Sequence, residues 1–320
     1  MADLSTDYMG MRLSTPLVAS ASPLSRQAST VQELERAGIG AVVLFSLFEE
    51  QFDPLPEQLD PRARDCPLER GDFLTRPHEY LEHLARLSAT AGIPILASVS
   101  VSRPGRWIDY VPHLAEAGAA AVEISLYPVL EDPFLSSTAI EAAAVELVEE
   151  VAWRSELPIA VKLPPYLSAP VAFCRRLVEA GAQALVLFQR PYHPDIDIER
   201  CELVTDLELS APADVRLPVA GVLALREYVR ADLAATGGIH DLEQVVAVLM
   251  AGAKVAMLCS VLLERGPEYA GELCRQLNAW LDRRGYSTVA EVRGRAELAA
   301  GGLRRYAGLR PERVYEEVGK

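Results

Sequence analysis

Gly237, Gly238 and Ser260 stand where this chain could bind a phosphate. The stretch 232–260, DLAATGGIHDLEQVVAVLMAGAKVAMLCS, predicts a strand, a glycine turn, a helix, a second strand and a turn at Cys259 and Ser260. Glycine tolerates positive φ, so the chain turns tightly and leaves backbone N–H groups uncovered. Such amides, with a hydroxyl and a helix start beside them, are a common way to hold phosphate. An ordinary turn between a strand and a helix has the same pattern, so both interpretations stay open.

Lys162 lies inside the apolar run PIAVKLPPY. A lysine within a buried strand is costly unless it meets an anion or loses its proton for chemistry. Three interpretations follow. The lysine is the cationic partner of a bound cofactor, a Schiff-base nucleophile as in barrel aldolases, or a structural residue paired with a buried carboxylate such as Glu123.

Tyr127 and His193 are candidates for proton transfer. Tyr127 follows the run AVEISL, and His193 lies in RPYHPDID. A phenol or an imidazole at the mouth of a site can accept or donate a proton. A loop aromatic that stacks on a ring or packs on the surface, and a solvated loop histidine, are the alternatives. The other histidines lack the spacing of metal ligands, and we expect surface or capping positions for them: His78, His83, His113 and His240.

These candidates follow short apolar runs that alternate with helical segments. A glycine after alanine repeatedly separates a helix from such a run, at Gly38, Gly92, Gly118, Gly181 and Gly252. Continuously apolar strands are buried on both faces, as in a parallel sheet covered by helices. The predicted strands are 16–20, 41–45, 95–101, 120–126, 159–163, 184–188, 232–236 and 254–259. The predicted helices are 30–37, 77–91, 107–117, 137–154, 170–180, 218–229, one within 241–251, and 267–284.

Eight strand–helix units predict a (β/α)8 TIM barrel of class α/β. We expect a single domain over 1–320, with a C-terminal tail, 286–320, outside the barrel. The proline-rich segment 49–76 is predicted to be a loop over the barrel mouth, where loops of this length are often functional. Active sites of this fold lie at the C-terminal ends of the strands. Cofactor-binding candidates at these ends are Ser20, Ala21, Ser22, Ser46, Ser125, Lys162, Gln189, Gly237, Gly238, Cys259 and Ser260.

The composition narrows the class of protein. The chain has 320 residues and a formal net charge of −14, which argues against partners such as nucleic acid and anionic membrane surfaces. Its five cysteines show no C-x-x-C pattern and predict reduced thiols in a cytoplasmic protein, without a zinc or iron–sulfur site. The polar start MADLSTDYMG is not a signal peptide, and no apolar stretch reaches membrane-spanning length. A homodimer stays open as an assembly.

The motifs resemble those of the dihydroorotate dehydrogenase superfamily, particularly its soluble dihydroorotate dehydrogenase-like group. PLVASASPLS is similar to the first-strand P-L-x-x-A-S-G turn, AVEISLYP to E-L-N-x-S-C-P-N, and PIAVKLPPYLS to P-V-x-V-K-L-x-P. ALVLFQRPYHPDIDIE is similar to the sixth-strand segment with its substrate-binding asparagine. The run from ATGGI to ERGPEY is similar to the family's G-G-I, A-G-A, G-T/S-x-L and G-P sequence. The resemblance covers nearly the whole chain.

The resemblance implies a (β/α)8 barrel that binds FMN. It implies that Lys162 contacts the flavin ring and that Ser20, Ala21 and Ser22 flank the isoalloxazine. It also implies that the turn residues hold the phosphate. These are Gly237, Gly238, Cys259 and Ser260.

Several family residues are replaced here. At strand 2, Phe45 and Ser46 occupy the positions of the family's lysine and serine. Ser125 replaces the family's asparagine at strand 4, and Gln189 replaces the asparagine at strand 6. The catalytic cysteine of the soluble classes has no counterpart, and Tyr127 stands near its place. The asparagine-bearing G-L-P-N loop is missing from 49–76, and so is the membrane-associating extension of the quinone-linked class. A site built from asparagine hydrogen bonds is selective, so two substrates stay open: dihydroorotate, the default of the family, and a related ring compound.

Three functions follow from these residues. The first is an FMN-dependent oxidoreductase acting on CH–CH groups, with Lys162 polarising the ring, Tyr127 or His193 as proton acceptor, a small-molecule substrate and an unknown electron acceptor. The second is a non-catalytic flavin-binding protein that serves a partner. The third is a Schiff-base lyase that uses Lys162.

Overall fold

The computed structural model describes residues 2–52, 75–127, 134–190, 195–204 and 208–298. Its centre is a closed barrel of eight parallel strands. The barrel strands are β1 (Leu17–Ala19), β2 (Ala41–Val43), β3 (Ile95–Val101), β4 (Ala121–Leu126), β5 (Ile159–Leu163), β6 (Ala184–Leu187), β7 (Asp232–Thr236) and β8 (Val255–Leu258). Each strand pairs with its neighbours in chain order, and β8 pairs with β1 to close the ring. The predicted (β/α)8 fold is confirmed.

Helices cover the outside of the barrel. Those described are α1 (Ala28–Arg36), α2 (Pro77–Thr90), α3 (Val111–Glu116), α4 (Ser137–Arg154), α5 (Pro170–Glu179), α6 (Arg216–Leu225), α7 (Leu242–Ala251), α8 (Ser260–Arg265) and α9 (Tyr269–Arg284). Asp241 caps α7, since its side chain accepts from the N–H groups of Glu243 and Gln244. Gly252 ends the same helix with a φ of +126°. The glycine at 92 differs from the predicted pattern, because its N–H donates to the Glu35 carboxylate at 2.9 Å and its φ is not left-handed.

Alternate strand residues divide the core into two layers. One layer lies between the barrel and its helices, with Leu17, Val42 and Leu185 among its members. The other fills the barrel interior and includes Val18 and Val43. Successive side chains of a strand point to opposite faces, so a continuously apolar strand supplies both layers.

An N-terminal hairpin, which the sequence analysis did not predict, packs into the inner layer. Its strands are Thr6–Tyr8 and Met11–Leu13, and Tyr8 and Leu13 are fully buried. The backbone N–H of Met9 donates to the Asp232 carboxylate, at the first residue of β7, over 2.8 Å. The hairpin therefore closes the end of the barrel where the strands begin, which leaves the opposite end for a site.

Several predicted segments differ from the structure. The predicted helix 107–117 is a 3-10 helix, Arg106–Tyr110, followed by the short α3. The predicted last helix corresponds to α9, whereas the short α8 that precedes it was not predicted. The predicted loop 189–216 contains a hairpin of Asp195–Asp197 and Glu202–Val204. Of the predicted mouth loop, 53–74 lies outside the described residues, as does 299–320 of the predicted tail.

The described part of the tail contacts the barrel's helical layer. Val289 is buried in a 3-10 helix, Val289–Glu291, and the N–H of Gly294 donates to the carbonyl of Leu249 at 3.0 Å. None of the helices in the described ranges combines the length and the apolar character needed to cross a membrane. Within the same ranges, no three His, Cys, Asp or Glu side chains come together as metal ligands would.

Candidate active site

Lys162 lies near the C-terminal end of β5 and points into the barrel. Its ammonium donates to Ser20 Oγ at 3.2 Å and to Glu123 Oε1 at 3.3 Å. Glu123 is 0% exposed and Lys162 9%, so the ion pair is almost fully withdrawn from water. This is the contact that the structural interpretation of Lys162 predicts. It also fixes a cation at the end of the barrel that the N-terminal hairpin leaves open.

Two buried polar atoms of the barrel interior make no hydrogen bond with any described group. They are the second carboxylate oxygen of Glu123, Oε2, and the phenol oxygen of Tyr8. Burial raises the pKa of Tyr8 well above its ordinary value, and the charges of Glu123 and Asp232 raise it further, so the phenol stays neutral. Buried polar groups are normally paired. The barrel interior therefore has unused hydrogen-bonding capacity next to Lys162.

Serines lie at or shortly after the ends of β1, β2 and β4. Ser20, Ser22 and Ser125 are buried, and Ser46 Oγ lies 2.8 Å from Ser98 Oγ. Their small side chains leave room for a flat ligand to approach the backbone. Ala21 lies between Ser20 and Ser22 and packs against the inner core.

Phe45 stands at the end of β2, where the resemblance predicts the loss of a lysine. Its backbone N–H donates to Ser25 Oγ at 2.8 Å, and the Ser25 hydroxyl donates to the Ser22 carbonyl at 3.0 Å. The guanidinium of Arg26 lies 4.3 Å from the centre of the Phe45 ring, a cation–π distance. Arg26 thus brings a positive charge beside Phe45. Arg26 was not among the predicted site residues, because it lies six positions beyond Ser20, the last residue of the predicted first strand.

Gln189 follows β6 and offers a second unpaired acceptor. Its backbone N–H donates to the carbonyl of Leu163 at 2.8 Å, which holds the residue at the end of β5. Its side-chain oxygen, Oε1, is buried and accepts no hydrogen bond from the described residues. A carboxamide in this state can bind a ligand N–H group.

The two predicted turns come together with a third segment. Gly237 and Gly238 have φ of +96° and +69° after β7. Ser260 Oγ accepts from Ser210 twice, from its N–H at 3.0 Å and from its hydroxyl at 2.9 Å. Ser210 Oγ lies 3.3 Å from His240 Nε2. The turns after β7 and β8 therefore lie on one side of the barrel, as the phosphate hypothesis requires.

Two histidines are not where the sequence analysis expected them. His240 is 6% exposed and His83 7%, so the prediction of surface positions is wrong for both. His240 is held by Ser210, and His83 Nε2 lies 2.8 Å from the carbonyl of Ser25. Contacts between distant segments bury these rings, and histidine is a residue of intermediate burial whose sequence position alone does not decide this.

Comparison with known proteins supports the interpretation of the fold and its open end. No family model matches the chain. Curated proteins that are similar include a provisionally named dihydroorotate dehydrogenase A (fumarate) of Aeropyrum pernix, 26% identical over 308 residues, which covers 93% of this chain and 98% of that protein. The catalytic subunit of dihydroorotate dehydrogenase B (NAD(+)) of Thermoplasma acidophilum is 23% identical over 301 residues, covering 92% and 99%. That of Methanothermobacter thermautotrophicus is 25% identical over 303 residues, covering 92% and 98%.

The chain is thus similar to dihydroorotate dehydrogenases over more than nine-tenths of its length, and this similarity, together with the closed parallel barrel, supports the dihydroorotate dehydrogenase superfamily. The predicted resemblance is thus confirmed at the level of the superfamily. The roles of the individual site residues in this dihydroorotate dehydrogenase-like barrel stay predictions.

Of the two proton-transfer candidates, the structure describes Tyr127 but not His193. Tyr127 follows β4 directly, its N–H donates to the carbonyl of Val101 at 3.0 Å, and 38% of the residue is exposed. It lies at the mouth, two positions after Ser125. His193 lies outside the described residues.

Two surface depressions among the described residues lie elsewhere. One, of about 460 Å³, lies at the start of β6 and β7 beside Gln183 and Asp232. The other, of about 520 Å³, lies between α7 and α9 beside Met250 and Trp280. Neither contains Lys162 or the glycine turn. We place the candidate site at the C-terminal ends of the strands, because the ammonium of Lys162 and the unpaired side-chain oxygen of Gln189 lie there and this end carries the active sites of such barrels.

Replacing Gly238 with alanine should lower the melting temperature more than Gly10→Ala does. Both glycines have left-handed φ, +69° and +76°, so both substitutions introduce backbone strain of about 1–3 kcal/mol. A Cβ at Gly238 would also clash with the backbone nitrogen of Val215, whereas nothing lies within 4 Å of one at Gly10. Thermal unfolding of the two variants checks this. Equal shifts would show that the turn is not packed against 211–215.

The thiol of Cys259 should react slowly with iodoacetamide at pH 8, and faster as the pH is raised toward 10. Burial raises its pKa, and the charge of Lys162 offsets only part of that rise. The thiolate is the reacting form, so a raised pKa slows alkylation. Mass spectrometry of the labelled peptides measures this, with the exposed Cys201 as internal control. Labelling of both thiols at the same rate at pH 8 would contradict the prediction.

Proposed function

We propose that this dihydroorotate dehydrogenase-like oxidoreductase is FMN-dependent and acts on the CH–CH bond of a small ring compound related to dihydroorotate. The observation that carries the proposal is the buried cation of Lys162, held by Glu123 and Ser20 at the open end of the barrel. The similarity to dihydroorotate dehydrogenases over more than nine-tenths of the chain supports it.

The residues present suit an isoalloxazine ring. An ammonium has three N–H donors, and Glu123 and Ser20 take two of those of Lys162, which leaves one for the ring. Gln189 Oε1 is an unpaired acceptor for a ring N–H. Ser20, Ala21 and Ser22 would flank the ring, with Ser46 and Ser125 as further polar neighbours.

The residues of the two turns suit the FMN phosphate. Gly237 and Gly238 present backbone without a side chain, and a Cβ added at Gly237 would meet no atom within 4 Å. Ser260 contributes a hydroxyl and Cys259 its backbone. Amides and a hydroxyl in this arrangement bind phosphate by donation.

FMN, when bound, would accept a hydride from a substrate carbon. Lys162 would stabilise negative charge at the ring, an effect that is large because the ion pair is shielded from water. Glu123 and Ser20 would keep its ammonium in place. Tyr127, or His193, would take the proton that leaves the neighbouring carbon.

The structure of the ion pair counts against the Schiff-base function. A nucleophilic lysine must be a neutral amine. The side chain of Lys162 instead forms an ion pair with a carboxylate oxygen 3.3 Å away. The lyase therefore ranks below the oxidoreductase.

The spectrum of the purified full-length protein tests the proposal. We expect a yellow protein with flavin absorption, and anaerobic addition of dihydroorotate or a related dihydropyrimidine should bleach it. Flavin absorption that none of these rings bleaches would favour the non-catalytic flavin-binding protein. A colourless protein that does not take up FMN and is trapped by borohydride with an aldehyde would favour the lyase.

We further propose a cytoplasmic protein that passes electrons to a separate acceptor and forms a homodimer. The four cysteines of the described residues are all free thiols, as expected in a reducing compartment. The charge of −14 disfavours nucleic acid as a partner. Light scattering coupled to gel filtration tests the dimer, since a monomeric mass would exclude it.

A further inference from the structure

Four side chains near the glycine turn form a connected group, and of these only Ser260 has a part in the proposed function. They are Ser210, between β6 and α6, His240, between β7 and α7, and Ser260 and Glu264 of α8; we call them the Ser-His cluster. Ser210, His240 and Ser260 are 7%, 6% and 9% exposed. The cluster joins three separate strand–helix connections, two of which are those proposed to hold the phosphate.

The hydrogen bonds of the Ser-His cluster form a chain in which each side chain donates to the next, and the chain leads to Ser260. Ser260 Oγ accepts from the N–H and the hydroxyl of Ser210, at 3.0 and 2.9 Å. A hydroxyl oxygen has two lone pairs, so both acceptor positions of Ser260 are filled. The hydrogen of the Ser260 hydroxyl therefore remains as a donor for a further group.

The same reasoning assigns the hydrogen-bonding role of His240 Nε2. Because the Ser210 hydroxyl donates to Ser260, its oxygen is an acceptor for His240 Nε2, 3.3 Å away. His240 Nδ1 lies 3.6 Å from the Glu264 carboxylate. The donors then run from His240 through Ser210 to Ser260, with Glu264 holding the other side of the ring.

We propose that His240 is a positioning residue that, through Ser210, turns the Ser260 hydroxyl toward a phosphate monoester bound at Gly237 and Gly238. Glu264 holds the imidazole in the required orientation. The inference rests on the proposed function in taking FMN as the phosphate monoester. The turn begins three residues before His240, so the phosphate and the cluster share one segment of chain.

A nucleophilic role for Ser210 is excluded by the same geometry. A serine activated by histidine must donate its hydroxyl hydrogen to the imidazole. Here that hydrogen is used by Ser260, and Ser210 is almost fully buried. The resemblance of Ser210, His240 and Glu264 to a hydrolytic triad is therefore one of residue types only.

The test compares the binding of FMN and of riboflavin, which lacks the phosphate, to the flavin-free full-length protein. Flavin fluorescence is titrated for the wild type, His240→Ala, His240→Gln and Ser260→Ala. We expect His240→Ala and Ser260→Ala to weaken FMN binding about ten- to a hundred-fold, the effect of one hydrogen bond to a charged group. Riboflavin affinity should change less than about twofold, because no phosphate is involved. Glutamine can still donate to Ser210, so His240→Gln should retain most of the FMN affinity.

The outcomes separate this inference from the proposed function. Equal weakening of FMN and riboflavin by His240→Ala would show a merely structural role and overturn the inference while leaving the flavin site intact. A wild type that binds neither flavin would overturn the proposed function instead. In that case inorganic phosphate is titrated by calorimetry: binding that His240→Ala weakens supports the cluster's role toward another phosphate monoester, and absence of binding overturns it.

Discussion

Lys162→Met should lower the rate of flavin reduction by dihydroorotate, or by whichever related ring reduces the wild type, about 10²–10³-fold. The ammonium is the positive charge nearest to the proposed ring, and a preorganised charge in a site closed to water has an effect of this size. Methionine keeps most of the side-chain volume and removes the charge. Flavin retention should weaken as well, because the lysine contributes a hydrogen bond to the ring. Anaerobic stopped-flow absorbance, normalised to bound flavin, measures the rate.

The matched control is Lys254→Met. Lys254 precedes β8 at the opposite end of the barrel, where its ammonium lies 3.6 Å from Asp232 Oδ1. The same chemical change there should leave flavin content and reduction rate within about twofold of the wild type, since surface pairs have small effects. A Lys162→Met protein that keeps its flavin and its wild-type rate would remove Lys162 from the site.

Glu123→Leu should lower the free energy of unfolding of the flavin-free protein by about 3–5 kcal/mol. Glu123 is fully buried, and its removal would leave the ammonium of Lys162 withdrawn from water with only Ser20 as a partner. An uncompensated buried charge is the costly state, so adding Lys162→Met to Glu123→Leu should recover most of the loss. Urea unfolding followed by circular dichroism, on both single variants and the double variant, measures this.

The control for Glu123→Leu is Glu116→Leu. Glu116 pairs with His113 at 3.0 Å, but its side chain is 74% exposed, so its loss should change stability by less than about 1 kcal/mol. If Glu123→Leu proved as stable as Glu116→Leu, or if the double variant were no more stable than Glu123→Leu, the pair would not be a coupled buried interaction.

The strands could be predicted because their signal is local. Buried parallel strands read as short apolar runs, and a run such as IAVKL is recognisable without knowing its neighbours. The ends of α7 could be predicted for the same reason, because Asp241 and Gly252 form hydrogen bonds with residues only a few positions away. The N-terminal hairpin and the hairpin after β6 were missed, because their strands are only 3 residues long and give no such run.

The site could be predicted only as a set of positions. The resemblance and the strand ends together marked Lys162, Ser20, Gly237, Gly238 and Ser260, and the structure places these at one end of the barrel. Most hydrogen-bond partners of these residues could not be identified from the sequence. Ser210 and Ser260 are 50 residues apart, and Ser210 and His240 are 30 apart, so no periodicity relates them.

The sequence by itself determined the alternation of strands and helices, the lysine inside an apolar strand and the glycines of the turn, because each depends on residues adjacent in the chain. Tertiary structure decided which groups meet. Closure of the barrel brings Lys162 to Ser20, 142 positions away, and buries Tyr8 near the charge of Glu123. Such contacts depend on the pairing of β8 with β1 and on the packing of the hairpin, which short-range patterns do not encode.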